Sequence, residues 1–187
     1  MMEMAEKNAQ QMLKERQLKR EMTRERVPQS VYALQRDLNL KELPRRIEGI
    51  DISNFQGSDS VGSLVCFVDG RAKRSQYRFF KIRDIEGPND FASIHQVVTR
   101  RFRGLQERGE AFPDLLLIDG GKGQLSSAVQ ALKEVGAENQ PVLGLAKRLE
   151  EVFLPGQSSP IILPKTSASL RLLQMLRDEA HRFALKN

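Results

Sequence analysis

Four consecutive apolar residues, Leu115-Leu116-Leu117-Ile118, lead into Asp119 and then into Gly120-Gly121-Lys122-Gly123. A strand that is apolar at every position has no solvent face, so it belongs inside a sheet covered on both sides. Asp119 then stands at its carboxyl end, where open α/β sheets bind ligands. The glycines behind it let backbone approach a bound group closely. This one segment asks for helices on two faces of a sheet, and the rest of the chain must provide them.

It does so in a regular order. Ile47 to Ser53 alternates, with Ile50 and Ile52 on one face and Gly49, Asp51 and Ser53 on the other. Val61 to Val68 is β-branched and aromatic, Asp69-Gly70 is a two-residue hairpin signal, and Arg71 to Arg83 reads as a long third strand. After the break at Gly87-Pro88, Asp90 to Arg103 carries Phe91, Ile94, Val97, Val98 and Phe102 at helical spacing. Gln124 to Val135 is a helix closed by Gly136, and Pro141 to Lys147 is a fifth strand. A small hairpin around Pro155-Gly156 precedes a last helix, Ala168 to Leu185, which Ser167 can cap. The order β-β-β-α-β-α-β-α implies an α/β domain with a mixed five-stranded sheet flanked by helices.

Ahead of it lies an arm. Met4 to Arg26 is rich in helix formers, and its apolar residues Ala5, Ala9, Met12 and Leu13 make only a thin stripe. The reading is a mostly solvated helix, with a direct nucleic-acid arm as the sharper alternative. Pro28 interrupts it, a short helix spans Gln29 to Asn39, and Pro44 ends helical structure. The expected division is a helical arm over 1–42 and a folded domain over 43–187. The doubled methionine reads as an added start codon, which suggests a piece of a longer protein.

Charge points to a polyanionic partner. Thirty Lys and Arg against 24 Asp and Glu give a net charge of +6. A single cysteine, Cys66, excludes an internal disulfide and a cysteine zinc cluster, and it favours a reducing compartment such as the cytoplasm. No apolar run approaches the roughly 20 residues that a membrane span needs, and the charged N-terminus has no secretory h-region.

Three residues are anomalous. Asp51 interrupts an apolar strand, where a buried carboxylate is costly unless paired or metal-bound. Taken alone, it could equally be an edge residue facing water. Asp119 closes the most apolar strand, although by itself it also suits a turn. His181 falls at the margin of the last helix's apolar stripe, one turn from Arg177 and Asp178, where an ordinary surface histidine would also sit. His95 lies in a plain helical run and reads as structural. Gly120–Gly123 is not a P-loop, because Gly123 rather than Ser or Thr follows Lys122.

Together the three make a site. If the first and fourth strands neighbour each other, Asp51 and Asp119 stand side by side and repel unless a cation lies between them. Oxygen ligands favour Mg²⁺ or Mn²⁺, and one imidazole tilts the choice slightly toward Mn²⁺. Asp51, Asp119 and His181 are thus the candidate metal ligands. Such an ion among basic residues suits phosphodiester hydrolysis. Lys122, Lys147, Arg148, Arg177 and Arg182 are the candidate contacts to phosphate backbone. The rival readings are a non-catalytic basic nucleic-acid-binding module and, less well supported, a P-loop-like nucleotide hydrolase.

Several strings resemble one family. They are Ile50-Asp51-Ile52-Ser53, Glu86 to Ser93 (EGPNDFAS), Leu117 to Gln124 (LIDGGKGQ), Gly144-Leu145-Ala146-Lys147-Arg148 and Arg177 to Ala184 (RDEAHRFA). In this order, from about Leu43 to Ala184, they closely resemble UvrC, the incision subunit of bacterial nucleotide excision repair. The resemblance implies a ribonuclease H-like endonuclease domain that cuts the damaged strand 5′ to a lesion. It places the family's Asp-Asp-His triad on Asp51, Asp119 and His181, and a further acidic position on Asp90, which on sequence alone suits a helix N-terminus equally. It implies damaged double-stranded DNA and the other UvrABC subunits, UvrB in particular, as partners. Residues 1–42 resemble the basic linker that precedes this domain. A GIY-YIG module and a helix-hairpin-helix pair, the family's other parts, are not found in these 187 residues.

Overall fold

The computed structural model describes residues 2–24, 26–54 and 59–186. An arm helix, α1 (Met2–Arg24), is followed by α2 (Gln29–Leu38). The sheet strands are β1 (Arg46–Ser53), β2 (Val61–Val68), β3 (Arg71–Ala72), β4 (Arg78–Lys81), β5 (Leu115–Asp119), β6 (Val142–Ala146), β7 (Glu151–Phe153) and β8 (Ile161–Ile162). Three further helices pack on the sheet: α3 (Asp90–Glu107), α4 (Lys122–Glu134) and α5 (Ala168–Leu185).

The strands form one mixed sheet in the order β3-β2-β1-β5-β6-β7-β8, with β4 also pairing with β2. Its centre is parallel, β1 with β5 and β5 with β6, while the β1–β2, β6–β7 and β7–β8 pairs are antiparallel. β5 is buried on both faces, as its composition requires. Leu115 and Leu117 join the core under α2 and α5, and Leu116 and Ile118 join the core under α3 and α4.

The sheet is larger than the five strands expected, for two reasons. The long third strand is broken, because Lys73-Arg74-Ser75-Gln76 gives no apolar alternation to hold it in the ladder. A 3₁₀ turn replaces it at Arg74–Gln76 and separates β3 from β4. The small hairpin is not free-standing, since β7 pairs with β6 and extends the sheet edge.

The two N-terminal helices differ in kind. The described side chains of α1 are exposed throughout, and residue 25, within the expected helix span, lies outside the described residues. α2, grouped with the arm in the sequence reading, is seated in the core through Val31, Leu34 and Leu38. Its Asp37 also accepts a 2.6 Å hydrogen bond from Ser169 of α5. α5 begins at Ser167, whose hydroxyl accepts from the Leu170 N–H, as expected of a cap.

Candidate metal-dependent nuclease site

Strand register brings the two carboxylates together. Ile50 of β1 pairs with Ile118 of β5 in parallel, so the next residues, Asp51 and Asp119, emerge side by side on the face covered by α5. That face is the one to which Gly49 belongs, and a Cβ on Gly49 would stand 3.5 Å from Leu176 of α5. α5 packs on this face of the sheet and carries His181 over the pair. His181 Nδ1 lies 3.6 Å from Asp51 Oδ2, with about half of the imidazole exposed. Asp51 itself is 6% exposed and accepts a 3.2 Å hydrogen bond from Ser53 Oγ.

The electrostatics follow from this crowding. Burial pushes the Asp119 carboxyl up to about 6, reinforced by the negative charge of Asp51 and a hydrogen bond between the two. Lys147 and Arg177 oppose that rise. The same two cations, with Asp119, Glu150, Asp178 and His181, line a cleft of about 150 Å³ beside the pair.

The remaining candidates fall at different places. Arg177 is mostly buried and donates to Glu150 Oε2 at 2.5 Å, so Glu150 fixes it at the cleft. Glu150 and the preceding Leu149 both have left-handed backbone, φ 51° and 62°, which costs conformational energy in residues other than glycine. Arg148 is exposed in this same turn. Asp90 opens α3, where Asn89 caps the helix. Asp90 accepts a 3.1 Å hydrogen bond from Asn54, three residues beyond Asp51, which draws the start of α3 to the end of β1.

Two cations lie away from the carboxylate cleft. Lys122 donates to the Ser158 carbonyl at 3.2 Å and lines a neighbouring groove of about 470 Å³ between α4 and the β7–β8 turn. Arg182 is held by Glu179, which also accepts from the Tyr77 hydroxyl. His95 bonds Glu134 at 2.7 Å and ties α3 to α4.

The sequence reading missed Glu150, Asp178 and Asn54. Glu150 sits in the polar run Arg148-Leu149-Glu150-Glu151, and nothing in that run distinguishes it. Asp178 lies inside one of the family strings but carries no signal of its own. Asn54 shows itself only once β1 and α3 are placed.

Residues 35–185 match the family model of the UvrC RNase H endonuclease domain. The chain belongs to the UvrC family. It is 53% identical over 175 residues to UvrABC system protein C of Salinibacter ruber, covering 92% of this chain and 27% of that protein. To the same protein of Gemmatimonas aurantiaca it is 49% identical over 185 residues, covering 99% of this chain and 30% of that one. The chain thus spans less than a third of the length of these UvrC relatives. Among solved structures it is similar to human ENDOV, with 13% identity and a TM-score of 0.43 over 76% of this chain and 85% of that one. The match of the family model is what supports the ribonuclease H-like architecture of this UvrC domain.

The UvrC domain's residues can be tested against a divalent cation. Among the described residues, no three acidic, histidine or cysteine side chains converge tightly enough to encage an ion on their own. What the site offers is a carboxylate pair, Asp51 buried and Asp119 half-buried, with an imidazole at its edge and a cleft beside it. Such an open oxygen set suits Mg²⁺ or Mn²⁺, which keep positions for water and phosphate oxygens. The proton that Asp119 retains to about 6 marks where positive charge is needed.

Proposed function

We propose that this chain is a divalent-metal-dependent DNA endonuclease domain that hydrolyses a phosphodiester on the 5′ side of a lesion in nucleotide excision repair. The observation that carries the reading is the pairing of buried Asp51 with half-buried Asp119, which stand at the carboxyl ends of adjacent parallel strands and lie under His181. The family match supplies the biological setting.

Asp51 and Asp119 would hold the ion, Mg²⁺ or Mn²⁺, with His181 at the edge of the set. A divalent ion there supplies an activated water and offsets charge on the phosphate. His181, with Nδ1 toward Asp51 and half its ring exposed, is placed to ligate, to orient the water or to protonate the leaving oxygen. Lys147 and Arg177 offset the charge of the phosphate that enters the cleft. Arg148, exposed in the next turn, adds a cation beside the cleft, and Lys122 receives the backbone at the start of α4. Arg182 contributes only after leaving Glu179. Asp90 completes the acidic edge at the end of β1.

In this reading α1 is the basic linker, and the folded unit begins with α2, ahead of the boundary at residue 42 given by sequence pattern. The partners are damaged double-stranded DNA and the other subunits of the UvrABC system, UvrB above all, in the cytoplasm. Among the described residues, no helix is long and apolar enough to cross a membrane.

The test is incision of an end-labelled duplex carrying one lesion, with this domain supplied in place of its counterpart in a reconstituted excision system. A cut on the 5′ side that requires Mg²⁺ or Mn²⁺ supports the reading. DNA binding with no cut under any metal, while the other subunits remain competent, favours a non-catalytic binding module.

A further inference from the structure

Ser63 of β2 lies directly opposite Asp51 in the antiparallel ladder. Directly opposed residues place their side chains on one face, with Cβ atoms about 5 Å apart. Ser63 is fully buried, and its hydroxyl has no hydrogen-bond partner among the described residues. On its other side it registers with Phe79, whose ring stacks on Phe183 of α5 at 4.0 Å. The hydroxyl is therefore bounded across the sheet by an aromatic ring on one strand and a carboxylate on the other. Among the described residues, two further buried hydroxyls lack partners, Ser93 and Thr99, but both belong to α3 on the opposite face of the sheet.

A buried hydroxyl without a partner is a cost that alanine at the same place would not carry. Here it stands next to Asp51, whose carboxylate accepts from the Ser53 hydroxyl and shares a hydrogen bond with Asp119, with His181 at 3.6 Å. A carboxylate that gives an oxygen to a cation holds its orientation better when its other lone pairs are bonded. We infer that Ser63 is a positioning residue for the metal centre, its hydroxyl donating to the Asp51 carboxylate when a divalent ion occupies the pair. The inference rests on the metal-centre reading above. Ser53 anchors Asp51 from the same strand, and Ser63 anchors it from the neighbouring strand.

The experiment is a Mn²⁺ titration followed by the thermal unfolding midpoint, on wild type, Ser63→Ala, Ser63→Thr and Asp51→Asn. Without metal, Ser63→Ala melts at or above the wild-type temperature, because the unpaired hydroxyl is gone. Its Mn²⁺ response needs at least about tenfold more ion, the usual loss when a residue that orients a ligand is removed. Ser63→Thr keeps the hydroxyl and the wild-type response. If Thr is too bulky to fold, its metal-free curve shows that directly, and the alanine variant decides. A Ser63→Ala titration that overlays wild type, while Asp51→Asn loses the response, overturns the role of Ser63 and leaves the metal centre standing. A wild type that does not respond to Mn²⁺ overturns the metal centre, and the role of Ser63 with it.

Discussion

Asp119 is the residue at which building this site costs stability. Its carboxyl titrates near 6 in the folded chain, against an ordinary value of 3.8. The folded state therefore keeps a proton that the unfolded chain gives up over this window. Stability from this group is full below pH 3.8 and is lost as pH rises through about 6. A shift of this size is worth roughly 3 kcal/mol at most. Metal-free melting temperature should accordingly fall between pH 4 and 7, and Asp119→Asn should flatten that part of the profile. A wild-type profile identical to the variant's would show that the two carboxyls do not interact as described. The cation competes with the same proton, so Mn²⁺ should bind more tightly above about pH 6 than below it. Asp51→Asn, Asp119→Asn and His181→Ala should each abolish metal-dependent nicking while keeping the fold. Their effects should not multiply in double variants, because the three act on one transition state. Early melting would instead assign them a structural role.

Among the elements, β1 carries two unlike buried carboxylates on its two faces. Asp51 stands at the proposed site under α5. Glu48, fully buried, receives a bidentate pair of 2.9 Å bonds from Arg101 of α3, and Arg46 adds a third at 2.5 Å. The pair pins α3 to the sheet, and α3 carries Asp90 at its start. Removing Arg101 leaves the buried Glu48 with Arg46 alone, so Arg101→Leu should cost up to about 3–5 kcal/mol in denaturant unfolding. A loss below about 1 kcal/mol would mean that water reaches Glu48. A second element-level constraint is Gly144 in β6, where a Cβ would lie 2.9 Å from the Gly120 carbonyl oxygen. Gly144→Ala should displace the loop behind Asp119 and lower cleavage more than stability. Unchanged cleavage would show that the loop gives way without moving Asp119.

Much of this was legible in the residues. The apolar run Leu115–Ile118 foretold a strand covered on both faces, and the placement of Asp51 beside Asp119 follows from two parallel strands in register. The rest depended on long-range packing. Residues 73–76 offered no pattern that marks where β3 gives way to β4. The joining of β7 to β6 depends on a register that three residues do not declare. Lys122 and Arg182 looked like free cations, yet their partners, Ser158 and Glu179, are visible only in three dimensions. Glu150 gained its role from Arg177, 27 residues away.

For the whole molecule, the net charge of +6 and the Lys147 and Arg177 side chains at the cleft imply binding through phosphates rather than bases. Affinity of this chain for DNA should be weak and fall steeply with salt. Lys147→Ala and Arg148→Ala should weaken it alike on all sequences, and marked base preference in a binding assay would contradict that. In the proposed function, Asp51 and Asp119 hold the ion that cuts. The most direct measurement is conversion of supercoiled plasmid to open circle in Mn²⁺, with wild type and Asp119→Asn compared at equal concentration and with chelator as control. Wild type should nick, chelator should abolish that nicking, and the variant should lose at least a hundredfold, about 3 kcal/mol of transition-state stabilisation. Nicking by Asp119→Asn at the wild-type rate, or by either protein in chelator, would contradict the proposed function.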